Sequence, residues 1–385
     1  MIAQLTIDRD ALRANVAALW SLVYPAGYAA VVKANAYGHG LIETARALDG
    51  RVATFCTYRA AEAAALRAAG INTPLLVLGP VEPSELTMAL ASGAALTVWN
   101  AAFARTLSRF ARMQGTRWPI HVKVDSGVTR LGFEPHDAAA AIATFLDDDG
   151  LDLRGVFTHL AAAEELESAY TLGQLVRFEE ALAPLGSTLA AHGVVRHAAA
   201  SAAAMLYPRL RLDLIRAGIA TYGIWPSPQT RAVATATLDL TPALTWSTKI
   251  VLIRDVEAGR SVGYGCSFTT ARPSRIGVLP IGYAEGLPRA LSGDGAGNGG
   301  AALLHGRRVP FVGRICMNMS FVDVTDVSRA GSGSTVTLIG RDGDDALDAN
   351  ELAAAAGTIG YELVARLPPD MPRRYVGAET PAQTP

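Results

Sequence analysis

At 385 residues the chain is long enough for two domains with full cores, and half of its residues are hydrophobic, yet no run approaches the roughly 20 apolar residues that cross a bilayer. Thirty-four basic and 35 acidic residues give a net charge of -1 with neither sign gathered into a block, which argues against nucleic acid or a membrane surface and for a small-molecule partner. The three cysteines, Cys56, Cys266 and Cys316, are odd in number and widely spaced, which suits neither a disulfide framework nor a zinc site, and no metal is expected.

The chain opens on MIAQLTIDRDALRANVAALW, with Asp8, Arg9, Asp10 and Arg13 where a signal peptide needs an apolar core, so a reducing cytoplasm is the expected compartment. Short β-like runs then recur between alanine-rich, helix-like stretches: 29–33, 53–58, 75–79, 96–100, 120–125, 155–159, 194–198 and 212–216. Strands alternating with helices in this way predict an α/β fold whose N-terminal part, residues 1–237, is a (β/α)8 TIM-type barrel with its active site at the C-terminal strand ends. A doubly wound sheet is the alternative. Polar residues fall where the barrel rule wants them: Lys33, Arg59, Asn100, Lys123 with Asp125, His159, His197 and Arg216.

Beyond LDLTP at 238–242 the texture changes to alternating strands, at 244–253, 275–280, 309–324 and 335–339, predicting a mostly β domain over 238–376. One helix signal survives there, at 348–356, opened by the capping-box spacing of Asp348 and Glu351 and closed by Gly357. The segment SGDGAGNGG at 292–300 reads as a mobile loop tip, and 377–385 as a flexible tail.

The run 29–33 ends in a lysine and then in turn residues. An amine delivered to a dry strand end has a lowered pKa and is a candidate nucleophile for a carbonyl, although many strand-end lysines simply snorkel to water. Here VVKANAYGHG (31–40) resembles the pyridoxal-phosphate lysine motif of the alanine racemase family. The resemblance implies that Lys33 holds pyridoxal 5'-phosphate as a Schiff base. It continues through HVKVDSGVTRLGF, GVFTHL, LIRAGIATYG, SVGYG, GRICMN and GYE.

Barrels of this class bind phosphate in the loops after the seventh and eighth strands, where Ser201, Gly218 and Ile219 stand, and the resemblance implies that Tyr37 and Tyr361 hold the same cofactor phosphate. Arg216 would face the pyridine nitrogen, and His159 would lie against the ring and hydrogen-bond toward Arg216. Arg130 and the Met317 N–H would bind the substrate carboxylate. Lys123 would carry a carbamate that positions Arg130. Lys33 and Tyr264 would be the two catalytic bases on opposite faces of the substrate. Because Tyr264 and Met317 enter the partner's site in that family, a head-to-tail homodimer is implied.

Ala200 stands where the family has asparagine, Asn318 where it has aspartate, and GYAEGLPR has Glu285 and Leu287 where GYADGYPR is common. The implied activity is interconversion of L- and D-alanine, serving peptidoglycan synthesis or alanine catabolism. A serine or broad-specificity racemase of the same fold is the alternative, and a non-catalytic pyridoxal-phosphate carrier is the alternative of another class.

Overall fold

The computed structural model describes residues 3–294 and 297–379; residues 295–296 of the expected loop tip and 380–385 of the expected tail lie outside the described residues. Strand β1 (Gln4–Asp8) leads into the helix Arg9–Val23, where the Asp8 carboxylate accepts the Asp10 and Ala11 amides at 2.8 and 3.1 Å. That is an ordinary acidic N-cap.

Eight parallel strands come next: β2 (Gly27–Val31), β3 (Thr54–Thr57), β4 (Leu75–Val77), β5 (Ala95–Val98), β6 (Trp118–Lys123), β7 (Leu151–Phe157), β8 (Val195–His197) and β9 (Leu214–Ala217). Each pairs with the next from β2 to β8, and β9 returns to pair with β2. The seam between β8 and β9 is closed by Asp213 N–H to the Arg196 carbonyl at 3.0 Å and Arg216 N–H to the Ala199 carbonyl at 2.9 Å. The result is a nearly closed barrel, as expected from the sequence. Its strands are buried on both faces, which is why each reads as an apolar run rather than an alternation.

Most of the predicted runs overshoot the strands at their C-terminal ends, because the residues there have already left the ladder to form the rim. Lys33, Asp125, His159 and Asn100 are such residues.

The C-terminal part is mostly β. A seven-stranded sheet runs Arg307–Pro310, Ala301–Leu304, Thr335–Asp342, β10 (Leu244–Lys249), β1 and Arg373–Val376, with Asp345–Leu347 on the edge of Thr335–Asp342. Strand β1 therefore sits in this sheet, antiparallel to β10 and parallel to the last strand. A second sheet joins Leu252–Val256, Ser274–Leu279 and Ser320–Asp323.

Two predicted strands each divide. The run 244–253 switches sheets at Ile250, whose amide bonds the Ser334 carbonyl while Val251 bonds Val278. The run 309–324 is interrupted by a loop over 311–319. A second helix, Gly360–Ala365, is not among the predicted elements; at six residues it is too short to show a hydrophobic period. The predicted helix, Ala349–Ala355, is capped by Asp348, whose carboxylate accepts the Glu351 amide at 2.8 Å.

Candidate active site

Lys33 lies just past the end of β2, and burial, with Arg130 nearby, holds its amine below the ordinary lysine range while Glu62 opposes the shift. The backbone beyond it is unusual. Ala34, Asn35, Ala36 and Tyr37 have φ of 54, 54, 54 and 51°, a left-handed turn built without glycine. Such a conformation costs about 1–2 kcal/mol per residue, so it persists only where surroundings impose it. Glu62 is one such support: its carboxylate accepts the amides of Ala34, Tyr58 and Arg59 at 2.9, 2.8 and 3.0 Å. The Asn35 side chain accepts the Leu41 amide at 2.9 Å and closes the far end.

The turn carries Tyr37 toward β9. A Cβ on Gly218 would lie 2.4 Å from the Tyr37 hydroxyl oxygen, so a side chain there would displace that hydroxyl. The Ser201 hydroxyl accepts the Gly218 and Ala220 amides at 3.0 and 3.3 Å, and Ile219 is fully buried beside them. Tyr37, Ser201, Gly218 and Ile219 thus converge on one cradle of hydroxyl and amide groups, which suits a phosphate. The Tyr361 ring lies 6.4 Å from that of Tyr37, but its hydroxyl is directed to Glu164 at 3.4 Å. Burial raises both tyrosines well above the ordinary phenol value, so both are neutral donors.

Arg216 is 4% exposed and has no carboxylate partner among the described residues. Its donors reach the Thr158 and Ala198 carbonyls at 2.8 and 3.1 Å and His197 Nδ1 at 2.8 Å, and its guanidinium lies over the Phe157 ring, 5.0 Å from the centroid. Burial lowers its pKa to about 10, which leaves it cationic at neutral pH.

Because a guanidinium only donates, His197 Nδ1 must accept, and its Nε2 then carries the hydrogen donated to His121 Nδ1 at 2.8 Å. Burial and Arg216 keep both imidazoles neutral: His121 is pushed down to about 3, and His197 lies well below its ordinary value. Room for this pair comes from Gly155, where a Cβ would lie 2.3 Å from His121 Nδ1.

This corrects one expectation. The histidine bonded to Arg216 is His197, not His159, whose backbone carbonyl accepts from Gln174 at 3.0 Å and whose imidazole burial and four cations push down to about 3. The linear sequence does not announce the relay through His197 and His121, which joins residues 76 positions apart; the one signal it offers is His197 as a polar residue at a strand end.

Lys123 donates to the Leu131 carbonyl, and burial, together with Arg130 and Arg216, lowers its pKa to about 8 against the opposing pull of Asp125. Asp125 accepts the amides of Gly127, Val128, Thr129 and Arg130 at 3.0, 2.7, 3.2 and 2.6 Å, so it shapes the loop that presents Arg130. Burial works against its charge, but these backbone donors hold its carboxyl below the usual range. Among the described residues the hydrogen bond of Arg130 is made by its backbone amide and its side chain makes none, which leaves its fork open to a carboxylate.

Tyr264 and Met317 are 72% and 56% exposed and lie on adjoining loops. A Cβ on Gly313 would lie 2.5 Å from the Val262 carbonyl oxygen, and one on Gly265 would lie 2.6 Å from Arg314 Nη1. Among the described residues neither the Tyr264 hydroxyl nor the Met317 N–H makes a hydrogen bond. Both residues are thus exposed, on loops that pack against each other.

Two family models cover the chain: alanine racemase, N-terminal domain, over residues 7–226, and alanine racemase, C-terminal domain, over 243–375. An alanine racemase of Symbiobacterium thermophilum is 41% identical over 97% of both chains, and one of Methanococcus maripaludis is 35% identical over 96% of this chain and 97% of its own. Among solved structures, an alanine racemase of Clostridium difficile matches with a TM-score of 0.89 at 33% identity, covering 98% of this chain and 96% of that one. One from Bacillus anthracis with bound L-Ala-P matches at 0.87 and 32% identity, covering 98% and 96%. Full-length similarity to two-domain enzymes, both domains included, sets aside the reading as a carrier without turnover: the chain is an enzyme and belongs to the alanine racemase family.

Proposed function

We propose that this protein interconverts L- and D-alanine using pyridoxal 5'-phosphate on Lys33, as a head-to-tail homodimer in the cytoplasm that supplies D-alanine for peptidoglycan or serves alanine catabolism. The observation that carries the reading is the Lys33 amine, held below its ordinary pKa beside a cradle in which Gly218 leaves space against the Tyr37 hydroxyl. These residues fit the cofactor: an amine for its aldehyde, hydroxyls and amides for its phosphate, and a buried cation without a carboxylate for its ring nitrogen.

When bound, pyridoxal phosphate supplies an electron sink that acidifies the substrate's α-hydrogen. Arg216 moderates that sink, because it offers the ring nitrogen donors and no acid, with its Nε unengaged among the described residues. Tyr37, Ser201, Gly218 and Ile219 would hold the phosphate, and Tyr361 would join them by turning its hydroxyl from Glu164. Arg130 binds the substrate carboxylate as a fork, and the Met317 N–H of a second copy completes that contact. Lys33 Nζ moves the α-proton on one face, and the Tyr264 hydroxyl of the second copy moves it on the other. Exposure of Tyr264 and Met317 on adjoining loops supports this sharing of sites.

Lys123 fits a carbamate. With a pKa of about 8, roughly a tenth of the amine is neutral at pH 7. The neutral nitrogen adds to carbon dioxide and releases one proton, giving an N-carboxylate that balances Arg130.

The test is to incubate the pure protein with single L-amino acids and resolve the products on a chiral column. L-Alanine is expected to yield D-alanine, with borohydride tagging Lys33; equal turnover of serine would favour the broad-specificity alternative, and a tag on another lysine would overturn the assignment.

A further inference from the structure

We infer that the last strand of the chain positions the cofactor lysine, with Arg373 and Tyr375 as the positioning residues; the inference rests on Lys33 being that lysine. Strain is the starting point. Six of the seven residues from Ala34 to Gly40 have positive φ, and four of them are not glycine. Glu62 and Asn35 support the first part of this turn. Its second part is held from a distant piece of chain.

Arg373 Nε donates to the Gly38 carbonyl at 2.9 Å, and the Tyr375 hydroxyl donates to the His39 carbonyl at 3.1 Å. Arg373 is itself fixed, because its remaining donors reach the carbonyls of Pro368, Pro369 and Met371 at 3.0, 2.8 and 2.8 Å. The two glycines of the turn back onto the C-terminal region, Gly38 onto the helix Gly360–Ala365 and Gly40 onto the last strand. A Cβ on Gly38 would lie 2.0 Å from the Val364 carbonyl oxygen, and one on Gly40 would lie 1.9 Å from the Tyr375 hydroxyl oxygen. The strand is registered by pairing with β1, Ile7 opposite Tyr375.

Lys33 opens this turn and Tyr37 lies within it, so one backbone conformation aims both the amine and the hydroxyl that faces Gly218. Releasing the carbonyls of Gly38 and His39 would let the turn relax toward ordinary φ, carrying both groups away from the cradle. The C-terminal region thus serves the cofactor site of its own chain, apart from what Tyr264 offers to another.

The test uses full-length Tyr375→Phe, which keeps the ring against Gly40, and Arg373→Lys, which keeps the charge and a donor. In cofactor-free protein, Tyr375→Phe is expected to speed hydrogen exchange of the amides at 36–40 about tenfold while strand amides of β2 and β3 stay unchanged. By equilibrium dialysis its pyridoxal-phosphate affinity is expected to fall roughly three- to tenfold, and Arg373→Lys to lie between it and the parent. Unchanged exchange at 36–40 overturns the proposal, as does faster exchange with unaltered affinity. A parent protein that takes no pyridoxal phosphate on Lys33 overturns the reading beneath it, and normal parent binding with an unaffected Tyr375→Phe overturns this inference alone. If Tyr375→Phe exchanges faster throughout, Arg373→Lys decides by the same pattern.

Discussion

Asn318 Nδ2 donates to Glu285 Oε1 at 2.7 Å, so two positions at which the sequence departs from its family's common pattern are partners. The other oxygen of Glu285 accepts the Gly282 amide at 2.8 Å, and the two turns are zipped by Tyr283 N–H to the Cys316 carbonyl and Ala284 N–H to the Met317 carbonyl, at 3.1 and 2.9 Å. Leu287, the third departure in this region, is fully buried. Asn318→Asp would set two carboxylates against each other and loosen the turn that presents Met317 N–H. Loss of about 1 kcal/mol, roughly fivefold in KM for alanine with little change in kcat, is expected. Adding Glu285→Gln reverses the amide and the acid and should restore KM; a double variant no better than the single one would show that the pair does not act through Met317.

Tyr264→Phe should retain the cofactor and lose roughly 10²- to 10⁴-fold in racemisation. In the resembled family the lysine faces the D-enantiomer, so α-proton exchange into deuterium oxide should persist with D-alanine and collapse with L-alanine. Equal loss for both enantiomers, with cofactor retained, would remove Tyr264 as the second base.

Gly218→Ala forces a methyl group to within 2.4 Å of the Tyr37 hydroxyl oxygen unless something moves. Pyridoxal-phosphate affinity should drop by about tenfold or more. Combining it with Tyr37→Phe removes the clashing atom and should recover stability, measured by thermal melting, without recovering the lost phosphate contact.

Lys123→Ala should lower activity by about tenfold and regain part of it with added acetate or chloride, anions small enough to sit beside Arg130. In the parent protein at fixed dissolved carbon dioxide, incorporation of a ¹³C label should rise with pH through about 8, where the amine loses its proton. A label that incorporates equally at all pH values, or activity untouched in Lys123→Ala, contradicts the carbamate.

The buried imidazoles should cost the fold stability in acid. His39 is pushed down to about 4, His121 and His159 to about 3, and His197 well below its ordinary value, with burial the largest cause each time. The unfolded chain takes up protons at these residues near pH 6.5 while the folded chain does not. Their contribution is therefore intact above that pH and is lost as pH falls toward the folded values, by about 1.4 kcal/mol per pH unit for each histidine. The melting temperature should fall steeply between about pH 6.5 and 5. His121→Gln, which keeps an acceptor for His197, should flatten that slope; an identical slope would mean that His121 is protonated in the folded protein.

The barrel was legible because strands buried on both faces leave apolar runs, and because Lys33, Lys123 and Arg216 interrupt those runs at one end. Contacts through space were not. Nothing in the linear order pairs His197 with His121 or Asn318 with Glu285, and the left-handed turn after Lys33 carries no glycine at Ala34 to Tyr37 to announce it. The run 309–324 reads as continuous because Val309, Phe311, Val312 and Ile315 are all buried, although a loop intervenes.

Strand β1 pairs with β10 on one side and with the last strand on the other, Leu5 lying opposite both Trp246 and Arg373. During synthesis β1 therefore has one edge unsatisfied until Leu244–Lys249 has been made, and the other until Arg373–Val376 has been made. The barrel strands can pair with near neighbours in the meantime, whereas the β sheet cannot close until the end. Truncation just before Arg373 should thus expose an edge of β1, open to pairing with another chain, as well as removing the clasp on the Lys33 turn.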